Sequence, residues 1–406
     1  MRQSMAHLYI ALCTLLLAGC TFAIPPESTQ RVVAPPQTVA NPERIRINDI
    51  ALLGVTTIPN ATSVEDTLVG GLSAIAYDQA GDRYYFLSDD RGITGPVRIY
   101  QATIDLSDGT LDSGDLAWTG MIPLVDSSGT PFAPGTLDPE GLVYTGEQFY
   151  VASEGDAGAQ PPIPPAIMEF TPDGIFVEAL PLPEKFIPQA DGSRGVRANK
   201  AFESLTRTPD GGYLITGVEN ALVQDGPATT LEDESPSRLL TIDLSSNSPA
   251  AEYVYIVDAI PVAPEPADGN ADNGLAELIA LDNDGTLLAL ERSYAEGMGN
   301  TIRLYMASTQ NALDVREIEA LSEIDAPVTK ELLVDFGELG SDRGIAPDNL
   351  EGMALGPQLP DGRRVLLVVS DNNFSPNQTM QVWALALSIE TIAETPAEVS
   401  SPVATP

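Results

Sequence analysis

Nine acidic side chains occupy recurring places along this chain. Glu140, Glu203, Glu277 and Glu351 each stand at the head of an apolar, β-rich run, and Asp89, Glu154, Glu219, Glu291 and Asp371 each stand at the end of the run that follows. Counted from Ser73, which holds the place of the first head, successive heads lie 67, 63, 74 and 74 residues apart. Carboxylates gathered in one place repel one another and lose hydration, so they must take up protons, pair with Arg or Lys, or hold a cation. An all-oxygen set suits Ca²⁺, or Mg²⁺ and Mn²⁺, rather than zinc or copper. The metal candidates are Glu140, Glu203, Glu277, Glu351, Asp89, Glu154, Glu219 and Asp371, and Asn220, Asn349 and Asn372 would add neutral oxygens. A cation there would grip a phosphoryl or carbonyl oxygen and acidify a water, leaving a spare glutamate as base. Arg91, Lys200 and Arg292 adjoin the acids and would either clamp an anionic substrate or neutralise their neighbours. Asp78, Asp90 and Asn373 read as turn caps.

Such side chains need a frame that repeats with them. Within each period, β-branched and aromatic residues alternate between turn signals, which predicts four strands per unit. The first unit gives Leu72–Tyr77, Arg83–Leu87, Val97–Leu106 and Asp115–Leu124, and turns such as Pro209-Asp210-Gly211 and Asn283-Asp284-Gly285 join the first two strands of later units. The fifth unit supplies only three strands, Gly352–Leu355, Arg363–Val369 and Met380–Leu387, while Ile50–Ile58 has no other partner. Placing Ile50–Ile58 in the last unit closes a ring and removes exposed sheet edges. The expected fold is all-β: a five-bladed β-propeller of four-stranded blades completed by the N-terminal strand, with six blades as the alternative. In that frame the head of each first strand and the end of each second strand open at one mouth of the central channel.

The ends of the chain read differently. Residues 1–19 have a signal peptide's pattern, and Leu17-Ala18-Gly19-Cys20 resembles a bacterial lipobox, which predicts cleavage before Cys20 and lipid attachment to its thiol. Residues 20–48 read as a Pro/Thr-rich tether, 49–388 as the folded domain and 389–406 as a disordered tail. Those readings place the protein outside the cytoplasm, held to a bacterial membrane only by its lipid, and acting as a monomer. After cleavage neither Cys13 nor His7 remains, which excludes disulfides, Ser-His-Asp triads and histidine zinc sites from the folded part. A formal charge of −38 opposes nucleic acid and anionic lipid as partners.

Several motifs resemble a known family. Arg197-Ala198-Asn199-Lys200-Ala201-Phe202-Glu203-Ser204-Leu205, followed by Pro209-Asp210-Gly211-Gly212, is similar to the signature of the esterase-like activity of phytase family, or phytase-like domain. Gly71 to Asp78 with Ser88-Asp89-Asp90-Arg91-Gly92, Asp138-Pro139-Glu140-Gly141-Leu142 and Asn349-Leu350-Glu351-Gly352-Met353 resemble its other motifs, so the likeness spans about residues 65–387. It implies ester or phosphoester hydrolysis, with Glu140, Glu203 and Glu351 as the favoured catalytic positions beside Arg91 and Lys200. The chain departs from the pattern at Ser73, where an acid is expected, and at Ser204, where glycine is commoner. Two other functions fit the same mouth: a non-catalytic propeller binding a ligand, glycan or protein, and a calcium-dependent lactonase-like enzyme.

Overall fold

A computed structural model describes residues 43–322 and 324–393. The signal peptide, Cys20, most of the expected tether and the end of the expected tail lie outside the described residues. The chain begins with β1 (Glu43–Ile58), followed by a two-residue hairpin of β2 (Ser63–Val64) and β3 (Thr67–Leu68). Blade 1 is β4 (Leu72–Asp78), β5 (Arg83–Ser88), β6 (Arg98–Ile104) and β7 (Leu116–Pro123). Blade 2 is β8 (Pro139–Tyr144), β9 (Phe149–Ser153), β10 (Ala166–Phe170) and β11 (Phe176–Ala179). Blade 3 is β12 (Phe202–Arg207), β13 (Tyr213–Val218), β14 (Ser235–Asp243) and β15 (Ser248–Val257). Blade 4 is β16 (Ala271–Ala280), β17 (Thr286–Ala295), β18 (Gly299–Ser308) and β19 (Thr329–Asp335), with a short helix α1 (Phe336–Ser341) after it. Blade 5 is β20 (Leu350–Gln358), β21 (Arg364–Ser370) and β22 (Met380–Ala393), and β1 pairs antiparallel with β22 as its outermost strand.

The protein is therefore a five-bladed β-propeller closed by its N-terminal strand, and the six-bladed alternative falls. The inner strands β4, β8, β12, β16 and β20 pack on one another in a ring around the channel. The closing pair runs further than the sequence suggested. Its register begins at Glu43 opposite Ala393, so six residues assigned to the tether and five assigned to the tail are strand. Exposed Arg46, Asn48 and Asp49 break up the apolar run and hide that part of the strand from a pattern search.

Hydrophobic burial explains the ring directly. Five apolar clusters occur, one between each pair of neighbouring blades. Alternate residues of one strand feed opposite clusters: Tyr84 and Phe86 pack toward blade 5, Tyr85 and Leu87 toward blade 2. In blade 4, Leu288 and Leu290 face blade 5 while Leu287 and Ala289 face blade 3. Successive side chains point to opposite faces of a strand, so a strand apolar on both faces must be sandwiched on both.

Candidate active site at the channel mouth

One irregularity recurs at the head of every inner strand. In the β4–β5 ladder Leu72 pairs with Ser88 and Ala74 with Leu87, leaving Ser73 as the extra residue of a bulge. The same register shift singles out Glu140 in β8, Glu203 in β12, Ala276 in β16 and Glu351 in β20. A bulged residue leaves the ladder and its side chain is re-aimed. Immediately beyond the last pair of the second strand come Asp89, Glu154, Glu219 and Asp371; in blade 4 the ladder runs on to Ala295, and Arg292, opposite Gly274, holds the equivalent place one residue past the bulge. In the four acid-bearing blades the backbone N–H of that residue is clipped to the segment before the inner strand: Asp89 to Gly71 O at 2.8 Å, Glu154 to Asp138 O at 3.0 Å, Glu219 to Ala201 O at 2.7 Å and Asp371 to Asn349 O at 3.0 Å.

This register corrects the fourth repeat, whose expected acids are each misplaced by one position. Glu277 follows the bulge rather than forming it, does not line the mouth cavity, and instead accepts the N–H groups of Leu205 at 3.2 Å and Leu278 at 2.9 Å. Glu291 lies inside the ladder opposite Leu275 and turns away from the mouth, where it takes the Tyr255 hydroxyl at 2.8 Å and pairs with Lys330. Blade 4 therefore presents Ala276 and Arg292 where the others present acids. Blade 1 presents Ser73, whose hydroxyl donates to Pro139 O at 3.2 Å.

The mouth is a cavity of about 620 Å³ walled by Asp89, Glu140, Glu154, Glu203, Asp272, Arg292, Tyr294, Asn300, Asp348, Asn349, Glu351 and Asp371, among others. Arg292 is the only cation on its wall among the described residues. Arg91 is committed to Asp138, and Lys200 to Glu219 at 3.4 Å and Asp272 at 3.8 Å; neither lines the cavity, so the two expected substrate clamps are partners of acids instead. Glu219 itself is buried against Lys200 and Arg292. Arg292 lies 3.3 Å from Glu351, 3.5 Å from Asp272 and 3.7 Å from Glu219, while its buried Nε has no partner. Burial opposes its charge, but Glu351, Glu219 and Asp272 more than compensate and hold it firmly protonated.

The other half of the mouth is short of positive charge. Oxygens of Asp138, Glu140 and Glu154 come within 4.8 Å of one another, and the buried Oδ1 of Asp89 has no partner. Burial, then the charges of Glu351, Asp138 and Asp90, push the Asp89 carboxyl up to about 7. Burial lifts Glu154 to about 7 as well, against the pull of the Ala201 N–H that it accepts at 2.5 Å. Glu140 is raised further by burial and by Glu203, Asp138 and Asp89, and Glu203 by burial and by Glu154, Glu219 and Glu351. Asp371 is raised by burial and by Asp89; in Glu351 burial is opposed by Arg292 and by the Asn349 amide at 2.8 Å. The carboxyls of Glu154 and Glu203, and of Asp138 and Glu140, influence one another closely enough that each pair takes up and releases protons together.

Asp138 and Asp272 escaped selection in the sequence. Asp138 precedes the bulge by two residues, a place with no counterpart acid in blades 1, 3 or 4, so repetition gave no signal there. Two of the three expected turn caps stand in place: Asp78 accepts from the Ala80 and Gly81 N–H groups and Asp90 from those of Ile93 and Thr94, whereas Asn373 lines the mouth cavity. Asn372 caps Gly71 and Phe374, and Asn220 the Thr229 N–H, so neither amide oxygen is spare.

Fold and mouth together define a five-bladed propeller whose channel entrance is lined with carboxylates from all five blades. The chain belongs to the phytase-like family described as esterase-like activity of phytase, which it matches over residues 67–374. No curated protein matches it significantly. Among solved structures it is similar to a bifunctional GH43-CE protein of Bacteroides eggerthii, at 12% identity and a TM-score of 0.40; the match covers 84% of this chain and only 37% of that one. An exo-1,5-alpha-L-arabinanase from a bovine ruminal metagenomic library matches at 9% identity over 83% of this chain and 100% of that one, with a TM-score of 0.39. The periplasmic gluconolactonase of Pseudomonas aeruginosa matches at 13% identity over 80% and 90%, with a TM-score of 0.32. Likenesses this distant bear on neither activity nor substrate.

Proposed function

We propose that this protein is a divalent-cation-dependent esterase or phosphoesterase whose reaction takes place at the acidic mouth. The observation that carries the reading is the acid-rich half of the entrance, where Asp138, Glu140 and Glu154 converge within 4.8 Å and Arg91, on Asp138, is the one cation paired with the three. Oxygen-only donors fit Ca²⁺ best, with Mg²⁺ or Mn²⁺ as alternatives, and the partnerless Oδ1 of Asp89 adds a further candidate ligand. Glu140, Glu154, Asp138 and Asp89 would hold the ion, which when bound supplies Lewis-acid polarisation and a more acidic water. Burial and the charges of Glu154, Glu219 and Glu351 push the Glu203 carboxyl well above the ordinary carboxylate range, so it is suited to protonate a leaving oxygen and, once ionised, to accept a proton from water. Arg292, with an unsatisfied Nε and only long ion pairs, is suited to orient a phosphoryl or carbonyl oxygen. Glu351 and Asn349 hold Arg292 in place rather than entering the reaction.

The test is release of nitrophenol from p-nitrophenyl phosphate and p-nitrophenyl acetate, with a lactone in the same panel, under saturating calcium. Expected are turnover of at least one substrate, its abolition by EDTA, and a loss of at least about 100-fold in Glu203→Gln, the scale of one acid–base group. Binding of calcium without turnover of any substrate, also with Mg²⁺ and Mn²⁺, would leave a ligand-binding propeller instead. The same reading puts the propeller outside the cytoplasm on a lipid carried by Cys20. Metabolic labelling with palmitate, lost in Cys20→Ser, tests that part separately.

A further inference from the structure

We infer that Glu277 is a positioning residue that fixes the bulges from which Glu203 and Glu351 enter the mouth. Its place in the ring is occupied by Ala74, Gly141, Ser204 and Gly352 in the other blades. Those small residues let the inner strands close on one another, since a Cβ on Gly352 would stand 2.7 Å from Ala74 Cα. Blade 4 alone puts a long side chain there, and it is only 2% exposed. The inner edge of each blade has no further strand to pair with, so its channel-facing N–H groups need other acceptors. One oxygen of Glu277 takes two of them, Leu205 N at 3.2 Å and Leu278 N at 2.9 Å, and the Met353 N–H lies close enough to the carboxylate to favour its charge.

The choice of partners is what gives Glu277 a link to the site. Leu205 lies two residues beyond Glu203 and Met353 two residues beyond Glu351, the same offset in blades 3 and 5. A single carboxylate therefore bonds the inner strands of blades 3 and 4 just below the Glu203 bulge, and sits beside the inner strand of blade 5 just below the Glu351 bulge. Strand order alone leaves those bulges without an anchor on the channel side; Glu277 supplies it. The backbone role stands by itself, whereas its consequence for ligand binding rests on the hydrolase reading above.

Amide hydrogen exchange and calcium calorimetry on Glu277→Ala and Glu277→Gln test this. In Glu277→Ala the Leu205 and Met353 amides should exchange at least tenfold faster, with 72–78 of blade 1 unchanged, and calcium affinity should fall about tenfold. Glu277→Gln keeps an oxygen for Leu205 and Leu278, so only Met353 should lose protection, and calcium affinity should stay within threefold of the parent. That selective pattern carries the test if the alanine variant does not fold. Unchanged exchange at both amides, equal acceleration in all five inner strands, or local acceleration with unaltered calcium affinity would each overturn the inference. If the parent protein binds no divalent ion, the hydrolase reading fails and the exchange pattern alone decides whether Glu277 anchors the bulges.

Discussion

At the scale of single residues, the mouth holds charge that the fold alone does not satisfy. Asp89 and Glu154 are lifted to about 7, from ordinary values of 3.8 and 4.5, by burial first and by neighbouring charge second. Between about pH 4 and pH 7 the folded protein therefore binds protons that the unfolded chain has released. Stability must fall as pH rises through that window, because the native state then has to ionise groups it holds protonated. Asp90 and Asp258 are shifted the other way, held low by hydrogen bonds and by Arg98 or Lys330 that outweigh burial; their contribution is lost only at lower pH, below this window. In EDTA the melting temperature should thus be several degrees higher at pH 5 than at pH 8, and millimolar calcium should narrow the difference by replacing protons with an ion. Scanning fluorimetry across pH checks this, and a melting temperature that climbs from pH 5 to 8 without divalent ions would contradict it. The same argument makes Glu140→Gln stabilising in EDTA, by about 1–3 kcal/mol, and less responsive to calcium, since it removes a buried charge and an ion ligand together.

At the scale of elements, the bulge does what the strand pattern alone cannot. Alternation of apolar residues made every blade strand legible, because the two middle strands of each blade feed the clusters on both sides of it. Repetition of Glu and Asp made Glu140, Glu203, Glu351, Asp89, Glu154 and Asp371 legible as a group. It failed in blade 4, where Leu275-Ala276-Glu277 and Glu291-Arg292 carry acids one position away from the places that open on the mouth. A shift of one residue turns a side chain to the other face, and no local property of Glu277 or Glu291 distinguishes the two registers. Ladder register is a long-range property, so it becomes visible only with the partner strand in place. The closeness of the inner strands was equally hidden, yet it makes a sharp prediction. A Cβ on Gly141 would stand 2.7 Å from both the backbone nitrogen and the Cβ of Leu205, so neither strand can yield without moving its blade. Gly141→Ala should cost about 1–3 kcal/mol, the range for overpacking a close contact. For a domain of this size that amounts to a melting temperature lower by about 2–12 °C, at roughly 2–4 °C per kcal/mol. Calorimetry on the variant decides it; an unchanged transition would mean that the inner ring has slack.

At the scale of the whole molecule, closure is what converts five marginal sheets into one cooperative unit, and β1 is the element that closes it. It pairs with β22 from Glu43–Ala393 to Ile58–Met380, interrupted by two register shifts, and so joins the two ends of the described chain. It buries Ile47, Leu53 and Ile58, which belong to the two clusters on either side of blade 5. At about 1.5–3 kcal/mol for each buried aliphatic side chain, those three contribute about 5–9 kcal/mol. That is comparable with the whole net stability of a typical domain, about 5–15 kcal/mol. Loss of β1 would also expose the full edge of β22, whose run from Met380 to Leu387 is buried throughout, and a long apolar edge invites pairing with another chain. Removal of residues 43–58 should therefore do more than lower the melting temperature. The expected product is aggregated or melts without a cooperative transition, and a synthetic peptide of Glu43–Ile58 added during refolding should restore a single transition with an affinity set by the same burial. The carboxylates offer a second readout of closure, because Asp371 in blade 5 and Asp89 in blade 1 meet across the seam that β1 braces. Calcium should stabilise the peptide-complemented protein and have no effect on the truncated chain alone; a truncated chain that still melts cooperatively and responds to calcium would show that the ring closes without its outer strand.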